Sequence, residues 1–321
     1  MSKASARSIA ARALLRVERD RAFAAAALDA EIERNSELDA RDRALATELL
    51  YGALRCRGVL LERLIRHAPR GISDPLVLTH LLVAAYQILV LERIPGFAAV
   101  DAAVEEVGRA RGPKVAGFAN AVLRKLSASG EKIERAEAVR QSAPRWLLER
   151  LEACVGPEEA AALLGAEADA PRLALRLVAP PPLPPWLAQA EPGRVSPRCR
   201  RVPEGSGDPR RLLGWAEGAF TIQEEGAQVV ALALGARAGE RVLDACAGRG
   251  QKTSLLREQV GAQAELFACD LHPRKLEQLK HEFSRLRLEP ARLAAVDWTV
   301  GVAAIPDDFD RVLVDAPCTG T

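Results

Sequence analysis

Over the first 140 residues, apolar side chains recur every three or four positions. Residues 45–67 show this most clearly, and their spacing predicts one amphipathic helix. Residues 76–91 are apolar on all sides, which predicts a buried central helix, and residues 100–107 and 115–126 predict two further helices. Helices joined by short loops form a bundle, so we expect residues 1–140 to be an all-α domain.

The pattern changes between residues 141 and 220. Residues 146–164 predict one more helix, whereas residues 172–178 alternate between apolar and polar side chains as a strand does. The proline-rich stretch at 180–185 is extended and semi-rigid. These features predict a small α+β connector over residues 141–220.

From residue 221 onward, short apolar strands alternate with helical segments. Four predicted strands run into an aspartate, namely Asp244, Asp270, Asp297 and Asp315. The carboxyl ends of parallel strands meet at one edge of a sheet, where doubly wound folds bind their ligands. We therefore expect a multi-domain chain whose residues 221–321 form the first part of an α/β, Rossmann-like domain with a site at that edge.

The composition is that of a soluble globular protein. Hydrophobic residues make up 49% and charged residues 27% of the 321, and the net charge is only +2. Residues 1–140 hold 23 Lys and Arg against 18 Asp and Glu, which hints at an anionic partner there. Arginine outnumbers lysine 38 to 7, and a GC-rich genome explains that preference at least as well as phosphate binding does.

Several classes of protein are disfavoured by the pattern. The six cysteines include no Cys-x-x-Cys pair, so we expect no metal site. The longest apolar run, 76–91, is shorter than the ~20 residues that a bilayer requires, and the amino terminus does not resemble a signal peptide. We expect a cytoplasmic protein, monomeric and without a membrane partner.

A glycine-containing turn follows the first strand of the α/β region. Asp270 lies 20 residues after Gly250, the spacing of a carboxylate that binds ribose hydroxyls. Neither the phosphate-binding Gly-x4-Gly-Lys pattern nor the dinucleotide pattern Gly-x-Gly-x-x-Gly is present. A nucleoside cofactor without a pyrophosphate fits better, and S-adenosylmethionine is the leading one. His272 either touches such a cofactor or begins a helix, and Trp298 either stacks on adenine or packs in the core.

A second candidate site is Asp315-Ala316-Pro317-Cys318. A lone cysteine is commonly a small buried residue, but Cys318 follows a strand-end acid and a proline at the ligand edge. A thiolate at a methyl-transfer site has a clear use, because its addition to carbon 6 of a pyrimidine makes carbon 5 nucleophilic. The motif thus favours methylation of a pyrimidine base.

Both motifs resemble those of a known enzyme family. The segments D-A-C-A-G-R-G-Q-K-T at 244–253 and D-A-P-C-T-G at 315–320 resemble the first and fourth motifs of RNA 5-methylcytosine methyltransferases. The segment G-A-F-T-I-Q-E-E-G-A-Q at 218–228 resembles the one that precedes the first motif. Residues 42–55 and 118–124 are similar to NusB-type RNA-binding bundles. Together they resemble the RsmB/Sun type of ribosomal RNA (cytosine-5) methyltransferase.

The resemblance implies a role for each matching residue. Asp270 would hold the ribose of S-adenosylmethionine, Asp297 would lie near the adenine, and Asp315 would lie between cofactor and target base. Lys252 would act at the active site, unless it is only a solvated lysine in the first turn of a helix. The methionine end of the cofactor would be lined by Cys246, Ala247, Gly248, Arg249, Gly250, Gln251 and Lys252. The partner would be small-subunit ribosomal RNA, held by the NusB-like domain.

The chain departs from the family pattern at two places. Arg249 stands where the family usually has proline, and Gln251 where it has glycine, at a cost of ~1 kcal/mol or more if Gln251 must be left-handed. The family also places its nucleophilic cysteine in a later Thr-Cys-Ser motif, which is absent up to Thr321. We therefore expect a fragment of a longer enzyme, in which Cys318 assists product release. In related DNA enzymes a Pro-Cys is itself the nucleophile, so that role stays open.

Two other functions fit parts of the pattern. One is an RNA-binding module of the antitermination type with a vestigial cofactor domain, which the altered glycine turn favours. The other is a methyltransferase that acts on another RNA or on protein, although methylation of an amine needs no thiol. Titration with the cofactor separates the first of these from an enzyme.

Overall fold

The structure, a computed structural model, describes residues 5–92, 94–166, 168, 172–178, 183–203, 206–301 and 305–316. Its contacts divide the chain into two compact units, Met1–Pro171 and Arg172–Thr321. Among the described residues, no helix combines the length and the apolar character needed to cross a bilayer.

Among its described residues, the first unit consists of helices joined by turns and loops. Its helices are α1 (Ala6–Asp20), α2 (Ala24–Glu33), α3 (Ala40–Arg55), α4 (Arg57–His67), α5 (Pro75–Leu89), α6 (Gly96–Arg111), α7 (Pro113–Ala128), α8 (Arg135–Ser142), α9 (Arg145–Val155) and α10 (Pro157–Ala166). Helix α8 spans residue 140, where the sequence places the end of the helical domain, and α10 packs against α8 and α9. The bounds of the three predicted domains therefore stay predictions.

Helix α5 is the predicted central helix, and it is buried on all sides from Thr79 onward. Asp74 caps its start, because the Asp74 carboxylate accepts a hydrogen bond from the Leu76 backbone N–H at 2.9 Å. Pro75 occupies the first helical position, where a missing N–H does no harm. Apolar residues of α1, α3, α6 and α7 pack around it and complete one core.

The single helix expected over residues 45–67 is wrong, because α3 and α4 meet at a break. The backbone leaves the helical conformation at Cys56, with φ −95° and ψ 10°. Beyond the break, the Val59 backbone N–H donates a hydrogen bond to the Ser142 hydroxyl oxygen at 3.0 Å. The contact joins α4 to α8, which is distant in sequence, so the local spacing of apolar residues does not reveal it.

The single helix expected over residues 146–164 is also wrong, because α9 and α10 are separate. Gly156 has a left-handed backbone with φ 86° and ends α9. Pro157 then begins α10, where its ring presets the helical φ. A Gly-Pro pair between two helical segments is a signal for a break, and it outweighs the continuous apolar spacing.

The second unit contains an antiparallel sheet of four short strands. The strands are β1 (Ala174–Leu177), β2 (Glu191–Pro192), β3 (Cys199–Arg201) and β4 (Phe220–Ile222), in the order β2-β3-β1-β4. A short helix, α11 (Pro185–Ala188), lies between β1 and β2 in sequence. The strand predicted over residues 172–178 is confirmed as β1.

A parallel, Rossmann-like sheet completes the second unit, as predicted. Its strands are β5 (Val242–Asp244), β6 (Leu266–Asp270), β7 (Arg292–Ala295) and β8 (Arg311–Leu313), in the order β7-β6-β5-β8. The helices are α12 (Glu225–Ala233) before β5, α13 (Gln251–Val260) after it and α14 (Pro273–Arg285) after β6. Asp244 and Asp270 end their strands, and Asp297 and Asp315 follow theirs by two residues, so all four lie at the carboxyl edge.

Candidate functional site at the carboxyl edge of the parallel sheet

The turn between β5 and α13 depends on two glycines. Gly248 and Gly250 both have left-handed backbones, with φ of 56° and 86°. Two features exclude a side chain at Gly250. Its φ is positive, and an added Cβ would lie 2.5 Å from the Leu279 Cγ atom. The turn can therefore approach α14 closely, and it ends directly in the first residue of α13.

Gln251 does not carry the backbone strain that its position in the motif suggested. It is the first residue of α13 and has no left-handed backbone. Its side chain instead donates a hydrogen bond from Nε2 to the Ile222 carbonyl at 2.7 Å. The expected cost of a left-handed glutamine does not arise, and Arg249 is an exposed residue of the turn.

Asp270 holds the glycine turn from the neighbouring strand. Its carboxylate accepts hydrogen bonds from the Gly248 backbone N–H at 3.0 Å and from the His272 backbone N–H at 2.8 Å. The Lys275 Nζ atom lies 3.5 Å from Asp270 Oδ1. The Asp270 side chain is only 8% exposed. Through its two hydrogen bonds to backbone N–H groups, the acid at the predicted ribose position also fixes the local backbone.

Asp244 is a buried acid beneath the turn. Burial raises its pKa to about 6, although a hydrogen bond from the Thr253 hydroxyl to Oδ2 at 2.7 Å opposes the shift. Its other oxygen, Oδ1, is buried with no hydrogen-bond partner in the described part of the chain. The Cys246 backbone N–H also lowers the pKa of Asp244, so the turn itself partly compensates for the burial of the carboxyl.

A cavity of about 570 Å³ opens at the ends of β5, β6, β7 and β8. It brings together three of the predicted site residues, Cys246, Asp270 and Asp297. Its other lining residues are Leu243, Ala245, Leu271, His272, Lys275, Val296, Trp298, Thr299, Val312, Val314 and Ala316. The remaining residues predicted for the turn, Ala247, Gly248, Arg249, Gly250 and Gln251, do not line it.

Two lining residues extend the sequence analysis. Trp298 forms part of the wall, and its indole Nε1 donates to the Ala245 carbonyl at 2.6 Å, so it is anchored as well as exposed to the cavity. Lys275 was missed, because a lysine in the first turn of α14 has no signal that distinguishes it from a solvated one. Its place in the cavity wall and its distance to Asp270 put it at the site.

Asp297 and Cys246 have different electrostatic surroundings within the cavity. The Thr299 hydroxyl and backbone N–H donate to Asp297 Oδ1 at 2.6 and 2.9 Å, and they lower the pKa of that carboxyl. Burial raises the pKa of the Cys246 thiol. Cys246 is therefore a neutral lining residue rather than an activated nucleophile.

Lys252 and Asp315 form an ion pair beside the cavity. The Lys252 Nζ atom lies 2.5 Å from Asp315 Oδ2, and the two side chains are 20% and 49% exposed. Ala316, next to Asp315, lines the cavity. Cys318 lies outside the described residues. No three described His, Cys, Asp or Glu side chains are arranged to hold a metal ion.

Comparison with known proteins decides the family. The family model described as NusB family matches residues 4–128, and the one described as 16S rRNA methyltransferase RsmB/F matches residues 231–321. The ribosomal RNA small subunit methyltransferase B of Pseudomonas putida is 35% identical over 334 residues, which cover 98% of this chain and 74% of that protein. The chain belongs to the ribosomal RNA small subunit methyltransferase B family.

Further comparisons agree with this family assignment. The probable ribosomal RNA small subunit methyltransferase B of Bacillus subtilis is 31% identical and covers all of this chain, which spans 75% of that protein. The crystal structure of the protein PH0851 has a TM-score of 0.72 at 20% identity, covering 99% of this chain and 76% of that one. At that identity the likeness concerns the fold alone. The predicted resemblance to the methyltransferase B family and the predicted fold class are confirmed.

Proposed function

We propose that this member of the methyltransferase B family uses S-adenosylmethionine to methylate carbon 5 of a cytosine in small-subunit ribosomal RNA, in the cytoplasm. The observation that carries the proposal is the cavity at the carboxyl edge, where Asp270 and Asp297 meet next to the Lys252–Asp315 ion pair. The NusB-like helices would hold the RNA, chiefly through its phosphates.

The cavity has the size and chemistry that an adenosine group requires. Its volume of about 570 Å³ lies within the range of ~300–1,000 Å³ that is typical of cofactor sites. Leu271, Val296 and Val312 offer apolar contacts to a planar base, and Asp270 offers carboxylate oxygens to a ribose diol. The turn residues 246–252 would face the methionine end, where Cys246 lines the cavity.

When bound, the cofactor supplies an electrophilic methyl group and leaves as S-adenosylhomocysteine. The target ring becomes reactive when a cysteine thiolate adds to carbon 6, because carbon 5 then carries the electron pair that takes the methyl group. Carbon 5 next loses its proton to a base, and the bond between sulfur and carbon 6 breaks. The aromatic ring and the thiolate are thereby restored.

Lys252 and Asp315 would act on the ring at this edge. Addition of a thiolate places negative charge on the pyrimidine, and the Lys252 ammonium is positioned next to the cavity to stabilise that charge. The half-exposed Asp315 carboxylate is an acceptor for the exocyclic amine of cytosine. The ion pair would keep both groups oriented before the base arrives.

For Cys318 we propose the release role that the resemblance implies, rather than nucleophilic attack. The two roles predict opposite effects of Cys318→Ser in the native protein. If Cys318 assists release, the variant accumulates a covalent protein–RNA adduct that survives denaturing electrophoresis. If Cys318 is the nucleophile, the variant forms no adduct at all.

Methyl transfer to RNA tests the proposed function directly. The native protein is incubated with unmodified small-subunit ribosomal RNA and methyl-labelled S-adenosylmethionine, and the RNA is then digested to nucleosides. We expect the label in 5-methylcytidine. Label in another nucleoside would refute the cytosine-5 assignment, and RNA binding without any cofactor binding would favour the RNA-binding module with a vestigial cofactor domain.

A further inference from the structure

Within the second unit, a fully buried arginine connects the antiparallel sheet to helix α13. Arg176 lies on β1, and its side chain is 0% exposed. Its Nε atom donates to Gln223 Oε1 at 2.6 Å, and its Nη2 atom donates to the Ser254 hydroxyl at 2.6 Å. Its Nη1 atom pairs with Glu258. Since Ser254 and Glu258 belong to α13, the guanidinium links that helix to the antiparallel sheet.

Two more hydrogen bonds extend this link to the first turn of α13. The Ser254 hydroxyl, which accepts from Arg176, donates to the Gln251 carbonyl at 2.9 Å. The Gln251 side chain in turn donates from Nε2 to the Ile222 carbonyl on β4 at 2.7 Å. The first turn of α13 is therefore tied to both β1 and β4. We call Arg176, Gln223, Gln251 and Ser254 the sheet–helix joint.

The joint is placed where a small shift would reach the candidate site. Gly250 immediately precedes α13, and Lys252, whose Nζ atom pairs with Asp315, lies between the two joint residues of the helix. A rotation or translation of this first turn would move both the glycine turn and the Lys252 ammonium. Apolar packing alone would hold α13 to the sheet but would fix its register less tightly than directional hydrogen bonds do.

We propose that Arg176 and Gln251 are positioning residues of the methyltransferase site, acting through the first turn of α13. The proposal rests on the proposed function, since it assigns the joint a role in holding the cofactor. It also gives a purpose to Gln251, which replaces the glycine of the family pattern and uses its side chain to reach β4.

The test uses variants that break the joint without leaving a buried charge unpaired. Gln251→Ala removes the bond to Ile222 while improving helix propensity, and Ser254→Ala removes one acceptor of Arg176. We expect each variant to weaken S-adenosylmethionine binding by roughly tenfold in calorimetric titration. We also expect faster hydrogen exchange of the backbone amides of residues 248–252 in both variants. The thermal unfolding midpoint should be nearly unchanged in Gln251→Ala, whose bond is exposed, and should fall by a few degrees in Ser254→Ala, which leaves a buried N–H of Arg176 without an acceptor.

Controls separate positioning from a general loss of structure. Gln278→Ala makes the same substitution at an exposed position of α14 and should change neither readout. Gln251→Lys keeps a donor of similar reach and should restore most of the affinity, which a merely structural role would not predict.

Failure of this proposal is distinguishable from failure of the proposed function. If the wild type binds the cofactor and both alanine variants bind equally well with unchanged exchange, the positioning role is overturned. If the wild type itself binds no S-adenosylmethionine, the proposed function fails and the cofactor role of the joint fails with it. The exchange data would then still report whether the joint holds the glycine turn.

Discussion

Buried polar groups in the two units have different surroundings. In the helical unit the Tyr86 hydroxyl, itself fully buried, donates to Glu48 Oε1 at 2.6 Å, and Arg135 pairs with the same carboxylate. At the edge of the parallel sheet, Asp270 also accepts hydrogen bonds but lines a cavity. A polar group that meets only other groups of the fold stabilises that fold, whereas one that faces a cavity is available to a ligand.

The comparison also applies to glycines with positive φ. Gly112 in the helical unit has φ 84° and no atom within 4 Å of an added Cβ, whereas Gly250 has φ 86° and the Leu279 Cγ atom at 2.5 Å. Gly112→Ala should therefore cost only backbone strain, about 1–3 kcal/mol, because φ 84° with ψ 174° is a conformation that glycine alone adopts readily. Gly250→Ala should cost about 3 kcal/mol or more, because steric overlap adds to the left-handed penalty of ~1–2 kcal/mol.

Denaturant unfolding of both variants checks the predicted difference in stability, which is the largest effect expected, and titration with the cofactor checks its consequence for binding. We expect Gly250→Ala to abolish measurable S-adenosylmethionine binding and Gly112→Ala to leave it unchanged. If Gly250→Ala lost no more stability than Gly112→Ala, steric overlap with Leu279 would not contribute to the cost of the substitution. Unchanged cofactor binding by Gly250→Ala would remove the glycine turn from the site.

The next effect concerns a titratable group inside the helical core. Burial lowers the pKa of His80 to about 4 from its ordinary value of 6.5, so the folded protein keeps this imidazole neutral. The unfolded chain takes up a proton as the pH falls below 6.5, and the folded chain does so only near pH 4. The contribution of His80 to stability is thus complete above pH 6.5 and is lost progressively between pH 6.5 and 4, by about 3 kcal/mol.

Unfolding free energies measured between pH 4 and 7 test this expectation. His80→Gln should change the pH dependence over this window, while Gln278→Ala, at an exposed and non-titratable position of the other unit, should leave it in place. Asp244, whose pKa burial raises to about 6, contributes the opposite slope in both proteins, so the test is the difference between wild type and His80→Gln. An identical pH dependence of the two proteins would show that His80 accepts a proton in the folded state without cost.

In both units, the sequence predicts features that depend on local spacing but not those that depend on tertiary contacts. Helix α5 and the four strand-end aspartates follow from local periodicity, because a buried helix is apolar all round and a parallel strand ends at the ligand edge. The break at Cys56 does not follow, since it depends on a contact with Ser142, 86 positions further along the chain. Lys275 and the bonds of Arg176 were hidden for the same reason, as only tertiary structure brings their partners close.

The glycine turn is predicted only in part by the sequence. Its motif and the spacing to Asp270 predict a nucleoside site, and the structure places Asp270 at the cavity. The motif alone suggested strain at Gln251, whereas the backbone puts the left-handed residues at Gly248 and Gly250 and begins α13 at Gln251. Which residue of a turn needs a positive φ depends on where the helix begins, and that is poorly determined by sequence.

The most direct test of the central claim is calorimetric titration of S-adenosylmethionine into the native protein and two variants. Asp270→Asn alters a carboxylate at the cavity, and Tyr86→Phe removes a buried hydroxyl from the helical core. We predict binding at one site by the wild type, a loss of roughly tenfold or more for Asp270→Asn and no change for Tyr86→Phe. No binding by the wild type, or equal affinity in wild type and Asp270→Asn, would contradict the account.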